Sequence, residues 1–302
     1  MKIMKIFNAL RDGNGFESAL VIAPVVYLVA FSAFPLIYNV VMSFQHVDMF
    51  SIATLNRPFV GLVNYIDVFS RPETPGVLWN TVIFVILSIV FQLSIGFALA
   101  LFFQNDFPGA SYLRGLFLAG WVMPALVVGA IWKWIFAGDF GVLNWVVRSL
   151  HIVNAPVFWI SDPAVALYSI IIANIWLGIP FNMILLSVGL AGIPGDVYEA
   201  AALDGAGPFQ RFRTITLPLM GSTLGAVIAL GAIFTLQQFD LVAALTQGGP
   251  ANASNVAQYW SWQLSFETYE ISDGSVIATL MLTVVALVAL IYVRSVQREQ
   301  RL

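Results

Sequence analysis

The stretch EAAALDGAGPFQRFRTITLPLM, residues 199–220, lies between two long apolar segments and is too polar to cross a membrane itself. The positions of its helix-capping residues, glycines and prolines predict two short helices. The first would have Asp196 as its N-cap, with Glu199 three residues later as the reciprocal partner of a capping box. Gly205 ends this helix, and Pro208 suits the first position of the second one. The stretch therefore predicts a docking element that exposes an acidic and aromatic face between two membrane spans.

The composition is typical of a membrane protein. Apolar residues make up 60% of the chain and charged residues only 10%, whereas soluble domains carry about 25% charged residues. The mean hydropathy is +0.88. The 302 residues include no cysteine, which excludes a disulfide framework and any cysteine-ligated metal or cluster.

Charge-free intervals mark the predicted spans, and each reaches the roughly 18 apolar residues that indicate a transmembrane helix. We predict an all-α membrane protein, because exposed polar backbone cannot otherwise cross lipid. The chain is expected to form one domain, 1–302, with a connecting loop 194–218 between spans four and five. The six spans are predicted at 18–44, 77–103, 115–136, 164–191, 216–240 and 274–294. The uncharged stretch 241–266 is rich in glycine and amide residues and is predicted to be an outer loop.

Lysine and arginine positions predict the orientation. With the N-terminus inside, nine of the thirteen basic residues fall on the cytoplasmic side, as the positive-inside rule requires. These nine are Lys2, Lys5, Arg11, Arg114, Arg211, Arg213, Arg294, Arg298 and Arg301. Both termini and the loop 194–218 are then cytoplasmic. The first apolar interval is longer than the about 7–15 apolar residues of a signal peptide, so we expect a retained span.

The loop also carries a motif with fixed spacing. EAA at 199–201 is followed after three residues by Gly205, and after nine more by I-x-L-P at 215–218. This pattern resembles the EAA loop of permease subunits of bacterial ABC importers. LTQGGP at 245–250 resembles the loop after the fifth span in the maltose-type first permease of the binding-protein-dependent carbohydrate uptake family. The outer domain of the maltose permease is absent, and Ser254 replaces a frequent threonine; both departures leave the substrate open.

The resemblance implies a non-catalytic permease subunit of an ATP-driven importer, spanning the bacterial inner membrane several times. The implied partners are a second permease, two ATPase subunits, an outer solute-binding protein, a sugar-like substrate and membrane lipid, with no nucleic acid. ATP and Mg²⁺ would bind to the ATPase, so no cofactor, metal or catalytic residue is expected in this chain. In agreement, Lys2, Lys5 and Lys133 are the only lysines and none follows a glycine, as a phosphate-binding loop would need.

In this family the EAA loop is the coupling helix that seats in a groove of the ATPase subunit. The resemblance assigns that role to Glu199, Ala200, Ala201, Asp204, Gly205, Phe209 and Arg211. Glu199 would face a basic residue of the groove. Gly205 is expected to have a positive φ, where a side chain would be costly or would clash.

A sugar permease needs a polar and partly aromatic patch halfway across the bilayer, since sugars offer both hydroxyl groups and C–H faces. The resemblance places the sugar-contacting positions on spans four and five. They are Gly178, Phe181, Phe234, Thr235 and Gln238, with Asn182 and Gln237 as further candidates. The alternative is that such polar residues only form hydrogen bonds between helices. Lys133 and Asp240 are expected to be structural, Lys133 as an interfacial anchor and Asp240 at the outer end of span five.

Two other classes remain to be compared. A stand-alone secondary transporter of a small polar solute is the alternative, although such proteins commonly show internal repeats and buried ion-coupling carboxylates. An intramembrane enzyme is disfavoured because neither an H-E-x-x-H nor a G-x-S-x-G motif occurs.

Overall fold

The computed structural model of the chain describes residues 15–299 except 52, 55, 56 and 106. Within these residues the regular structure is helical, and the only strand-like feature is an isolated antiparallel bridge between Gln45 and Phe59. Four of the basic residues used to predict the cytoplasmic termini lie outside the described residues. These four are Lys2, Lys5, Arg11 and Arg301.

The first long helix is continuous in direction: α1 (Gly15–Leu28) passes through a π-helical turn (Val29–Ala33) into α2 (Phe34–Ser43). The remaining helices, in chain order, are α3 (Val63–Ser70), α4 (Thr74–Phe102), α5 (Ala110–Val122), α6 (Ala125–Ile135), α7 (Val142–Ser149), α8 (Ala166–Ala191), α9 (Gly195–Leu203), α10 (Pro208–Arg211), α11 (Leu217–Leu219), α12 (Gly221–Leu236), α13 (Asp240–Leu245), α14 (Ala257–Trp262) and α15 (Ile271–Glu299). π-helical turns also join α10 to α11 and follow α14.

Four helices are long and apolar enough to cross a membrane unaided: Leu20–Ser43, Thr74–Phe102, Ala166–Ala191 and Ile271–Gln297. Two bent pairs of helices pass the same test when each pair is taken together. By length and composition, the described part of the chain therefore holds four to six candidate spans.

The interval 115–136 is not one straight helix, as the sequence pattern suggested. Instead, α5 and α6 meet at an angle of 100°. The break falls at Met123 and Pro124, which both have extended backbone. Proline lacks an N–H group and disfavours helical backbone in the residue before it. A single proline thus turns one apolar interval into two helices.

The interval 216–240 is also divided. The helical segment Pro208–Leu219 meets α12 at 68°, next to the fully buried Met220. At the other end, α12 stops at Leu236 and a new helix starts at Asp240. Asp240 therefore opens α13 rather than lying at the end of the preceding span, as the sequence predicted.

The stretch 241–266, predicted to be a loop, is largely helical. It contains most of α13, all of α14 and part of the following π-helical turn. Val256, Ala257 and Trp260 are buried. Two adjacent residues of α4 hold this segment: the Asn80 amide donates to three of its carbonyl groups, and the Thr81 hydroxyl accepts from the Ala257 N–H. These bonds from α4 hold the turn between α13 and α14 and the start of α14, and a local sequence pattern does not reveal such partners.

The parallel helices α4 and α8 form the centre of the fold. Near one end, Phe84 and Ile170 belong to one buried apolar cluster; near the other, Phe97 and Leu186 belong to a second. Between these clusters the two helices carry polar side chains at mid-length. This buried polar layer consists of Ser88, Gln92, Asn174 and Asn182. The two clusters fix the pair on both sides of the layer, which positions the site described next.

Candidate functional site

A cavity of about 230 Å³ opens beside the polar layer. We call it the central cavity; it is lined by Gln92, Trp121, Asn174, Leu177, Gly178, Phe181, Gly231, Phe234, Thr235 and Gln238. None of these side chains is ionisable. The lining comes from four helices, α4, α5, α8 and α12, together with the segment that follows α12.

Five residues predicted for the substrate pathway meet in this lining: Gly178, Phe181, Phe234, Thr235 and Gln238. Two further candidates lie outside it. Asn182 is buried between α8 and α4, where its amide donates to the Gly178 carbonyl at 2.9 Å. Gln237 is exposed and occupies the C-cap position of α12.

Three aromatic rings form one side of the central cavity. The Phe181 ring stacks on Trp121, with 5.7 Å between ring centroids. It also meets Phe234 edge-on at 5.3 Å. Offset and edge-to-face pairs of this kind stabilise each other beyond their buried area. The rings therefore present a fixed apolar surface.

Three carboxamide side chains, those of Gln92, Asn174 and Gln238, also line the central cavity. The Asn174 side chain donates to the Ser88 hydroxyl at 2.9 Å, and its oxygen accepts a long hydrogen bond of 3.4 Å from Gln238. The Gln92 amide donates to the Asn174 carbonyl at 2.8 Å. With both rings and neutral amides in its lining, the cavity suits a ligand that has both C–H faces and hydroxyl groups.

Gln92 and Trp121 were not among the predicted pathway residues. A signal for Gln92 was present, because it is the only glutamine inside the predicted span 77–103 and lies near its middle. Trp121 carried no such signal. It lies on α5, just before the bend at Met123 and Pro124, and a proline alone does not predict a bend, since Pro180 lies inside the continuous helix α8.

The loop 194–218 forms a helix, a glycine corner and a second helix. Gly205 has a φ of +78°, which confirms the predicted positive φ. The Ala206 N–H donates to the Ala201 carbonyl, and the Gly205 N–H donates to the Ala202 carbonyl. These two bonds are those of a Schellman C-cap. The second helix starts at Pro208, as predicted.

One expectation about this loop was wrong, and a second is met only in part. The N-cap of α9 is Pro194, which makes no side-chain cap, and within the described part of the chain Asp196 accepts only from the neighbouring Val197 N–H. The predicted capping box therefore does not form, because α9 begins one residue before Asp196. A Cβ added to Gly205 would meet no atom within 4 Å. The cost of a side chain there is backbone strain and not a clash.

The predicted coupling residues are mostly exposed. Glu199, Ala200, Asp204, Gly205 and Phe209 are exposed, while Ala201 and Arg211 are half-buried. Two large apolar side chains project beside them: Leu203 is 91% exposed and Phe209 is 74% exposed. The Tyr198 and Thr216 hydroxyls share a hydrogen bond of 2.9 Å that ties α9 to the helix after the corner. The loop is thus an ordered surface with acidic and apolar groups.

Comparison with known proteins gives the family. Residues 92–302 match the family described as binding-protein-dependent transport system inner membrane component. The chain belongs to this family. It is therefore the permease subunit of an ABC transport system of the inner membrane, a non-catalytic component whose ATPase is a separate subunit. This confirms the resemblance inferred from the EAA motif.

Several curated relatives are similar over most of their length. A Thermococcus litoralis protein named trehalose/maltose transport system permease protein MalF is 34% identical over 79% of this chain and 80% of the relative. An Agrobacterium fabrum protein named sulfoquinovosyl glycerol transport system permease protein SmoG is 29% identical over 95% and 92%.

Solved structures share the fold. A chain from a bacterial ABC transporter involved in the import of alginate superposes with a TM-score of 0.78, 18% identity, and coverage of 100% of this chain and 99% of that one. A chain of the MetNI methionine ABC transporter matches with a TM-score of 0.52 and 18% identity over 74% and 94%. The helical arrangement is therefore that of ABC permeases.

Proposed function

We propose that this permease carries a neutral sugar or sugar derivative through the central cavity, as one of two permeases of an ATP-driven importer. The cavity lining carries the proposal: three rings and three carboxamides surround a space without an ionisable group. Rings pack against the C–H faces of a sugar, and carboxamides pair with its hydroxyls. The relative named for trehalose/maltose transport supports this substrate class.

The size of the cavity supports a two-permease pathway. Its volume of about 230 Å³ lies below the roughly 300–1,000 Å³ of typical small-ligand sites. The exposed Phe234 ring leaves the cavity open on one side. A second permease facing this side would enlarge and close the space around a sugar.

For the membrane topology, we propose one domain over 1–302 with six spans. Each bent pair, α5 with α6 and α10–α11 with α12, would count as one span. Both termini and the loop 194–218 would then be cytoplasmic. The excess of lysine and arginine on that side supports this orientation.

The proposed assembly has this chain, a second permease, two ATPase subunits and an outer solute-binding protein. The loop 194–218 would dock on an ATPase subunit through Glu199 and its exposed neighbours, with Leu203 and Phe209 entering apolar pockets of the groove. ATP and Mg²⁺ would be held by the ATPase. A solved alginate transporter in complex with a substrate-bound periplasmic protein supports such an assembly.

In the proposed cycle, closure of the ATPase dimer on ATP moves the docked loops together and turns the cavity outward. The binding protein delivers the sugar to this outward-facing state. Differential contacts at the loops and at the binding protein supply the free energy that shifts the two states.

Reconstituted vesicles test the proposal. The complex is purified with its neighbouring permease, ATPase and binding protein, and uptake of radiolabelled maltose and trehalose is measured with ATP inside the vesicles or outside, and with ionophores. We expect uptake that needs the binding protein and ATP on the ATPase side, and that ionophores leave unchanged. ATP-independent uptake that collapses with ionophores would show a secondary transporter. If the complex takes up neither maltose nor trehalose, the proposed sugar function is overturned.

A further inference from the structure

Gln92 is a buried polar residue in the middle of the 29-residue apolar helix α4. Only 4% of it is exposed, and it lies between two apolar clusters of the same helix. Burying a carboxamide without hydrogen bonds costs about 1–3 kcal/mol by mutational measures. A residue kept at such a position needs a partner for its polar atoms.

One end of this carboxamide has a protein partner. The Gln92 nitrogen donates to the Asn174 backbone carbonyl at 2.8 Å. A backbone carbonyl only accepts, so this contact fixes which end of the carboxamide carries the nitrogen. Among the described residues, the Gln92 oxygen has no hydrogen-bond partner, and Gln92 lines the central cavity. The carboxamide thus offers a hydrogen-bond acceptor to whatever fills the cavity.

Packing holds this carboxamide in place. A Cβ on Gly178 would come within 3.0 Å of three atoms of the Gln92 carboxamide group. Only glycine leaves room for the side chain to lie across α8. Gly178 was predicted to contact the sugar. In the structure it also leaves the space that the Gln92 side chain occupies.

We propose that Gln92, on the second predicted span, contacts the transported sugar directly. Its oxygen accepts a hydrogen bond from a sugar hydroxyl, while the Phe181 and Phe234 rings pack on the C–H faces. The pathway then has contacts from the second span in addition to the fourth and fifth. This inference rests on the proposed sugar transport through the central cavity.

The competing explanation is that Gln92 only ties α4 to α8. Single-cysteine variants distinguish the two, because the chain has no cysteine of its own. Gln92→Cys is made in the full complex and treated with a small, charged methanethiosulfonate reagent while ATP and the binding protein drive the cycle. Modification is measured as a mass shift of this subunit, with and without maltose, or trehalose if maltose is not taken up. Thr235→Cys is the cavity reference, and Ser88→Cys, fully buried and outside the lining, is the control.

We expect modification of the cysteines at 92 and 235, protection of both by the sugar, and no modification at 88. A second variant, Gln92→Met, keeps the side-chain volume and removes the hydrogen bond to the sugar. Its uptake KM should rise about 2- to 10-fold, the value of one neutral hydrogen bond, with Vmax and subunit assembly retained. A merely structural Gln92 would lower assembly or Vmax and leave KM unchanged.

Failure of the Gln92 contact and failure of the proposed sugar transport would give different results. If the cysteine at 235 reacts and is protected while the one at 92 is unreactive or unprotected, Gln92 is not a contact and the proposed function stands. If the wild-type complex takes up neither disaccharide, the proposed function fails and this inference falls with it.

Discussion

Gln92 lies directly across Gly178, and one helical turn further along both helices Asn182 lies across Gly96. An added Cβ at 96 would be 2.7 Å from the Asn182 Cβ, and one at 178 would fall within 3.0 Å of the Gln92 carboxamide. The pairs follow the same order along the chain because α4 and α8 run parallel. Each helix therefore offers a glycine to a carboxamide residue of the other, and only the pair at 178 faces the central cavity.

Gly178→Ala should displace Gln92 from its seat. Forcing an extra methyl group into a packed contact costs about 1–3 kcal/mol, but the Gln92 side chain can move into the cavity and relieve part of it. We therefore expect a modest loss of thermal stability of the assembled complex and a clear rise in the KM for sugar uptake. Gly76→Ala, where an added Cβ meets nothing within 4 Å, should leave both quantities unchanged.

Gly96→Ala should lower the stability of the complex more than it changes the KM for sugar uptake, which is the reverse of the effect expected for Gly178→Ala. Its Cβ would press on the Asn182 Cβ and, at 3.1 Å, on the Met183 backbone nitrogen, and backbone cannot swing aside. The unfolding temperature should fall more than for Gly178→Ala, whereas the uptake KM of the complex that does assemble should stay near the wild-type value. Equal KM changes in both variants would show that the Gly178 contact has no special relation to the cavity.

Part of this arrangement was predictable from the sequence. The charge-free intervals located the four long apolar helices and the two bent pairs, because lipid and charge exclude each other, but they did not locate the short helices α13 and α14. Gly205 and Pro208 located the corner of the loop 194–218, because their backbone preferences are local. The resemblance brought Phe181 and Phe234 to one predicted patch, and they do lie in ring contact.

The remainder depends on packing between distant segments. The 100° bend after Met123 was not evident, because prolines also occur inside continuous helices of this chain, as Pro180 does in α8. The position of Gln92 against Gly178 depends on the offset between two helices, which no local pattern contains. The start of α9 at Gly195 rather than after Asp196 moved the N-cap by two residues, from Asp196 to Pro194, and that was enough to remove the predicted capping box.

Asn80→Asp should detach the segment after α13. The Asn80 amide nitrogen donates to the carbonyls of Asn252, Ala253 and Asn255 at 3.1–3.2 Å. Aspartate has the same shape but would point a negative oxygen at three carbonyl oxygens. We expect a loss of about 1–3 kcal/mol, the cost of leaving buried polar groups unpaired. Hydrogen exchange of residues 246–257 should rise sharply, while the same change at the exposed Asn154 should have no effect.

Arg71→Gln should loosen the junction between the corner after α3 and the start of α15. Arg71 pairs with Glu270 at 2.8 Å and with Asp273, whose side chain is only 14% exposed. Partial burial acts to lower the pKa of Arg71, but the two carboxylates outweigh it and raise the pKa above its ordinary value, so the side chain stays charged.

Removing this charge leaves the largely buried Asp273 carboxylate without its ion-pair partner Arg71. Because Arg71 and Glu270 are partly exposed, the expected loss is moderate, about 1–3 kcal/mol, measured as the thermal stability of the complex. The double variant Arg71→Gln/Asp273→Asn should recover part of it, and the exposed Arg148→Gln should cost nothing measurable. A double variant less stable than Arg71→Gln would contradict this explanation.

The Gly205 corner gives the sharpest test of the loop 194–218. Gly205 has a φ of +78° and space for a side chain, whereas Gly207, two residues later, has a φ of −68° and the same open surroundings. Gly205→Ala should cost about 1–2 kcal/mol of left-handed strain, Gly205→Asn less because asparagine tolerates this backbone, and Gly207→Ala almost nothing. The strain would act on the C-cap that orients α9. Sugar uptake and binding-protein-stimulated ATPase activity should therefore be lowest for Gly205→Ala, intermediate for Gly205→Asn and highest for the wild type, with the six predicted spans still inserted.

Equal losses of activity for Gly205→Ala and Gly207→Ala would show that the positive φ of Gly205 is not what matters. Wild-type activity for Gly205→Ala would show that the orientation of α9 does not transmit the ATPase movement to this permease.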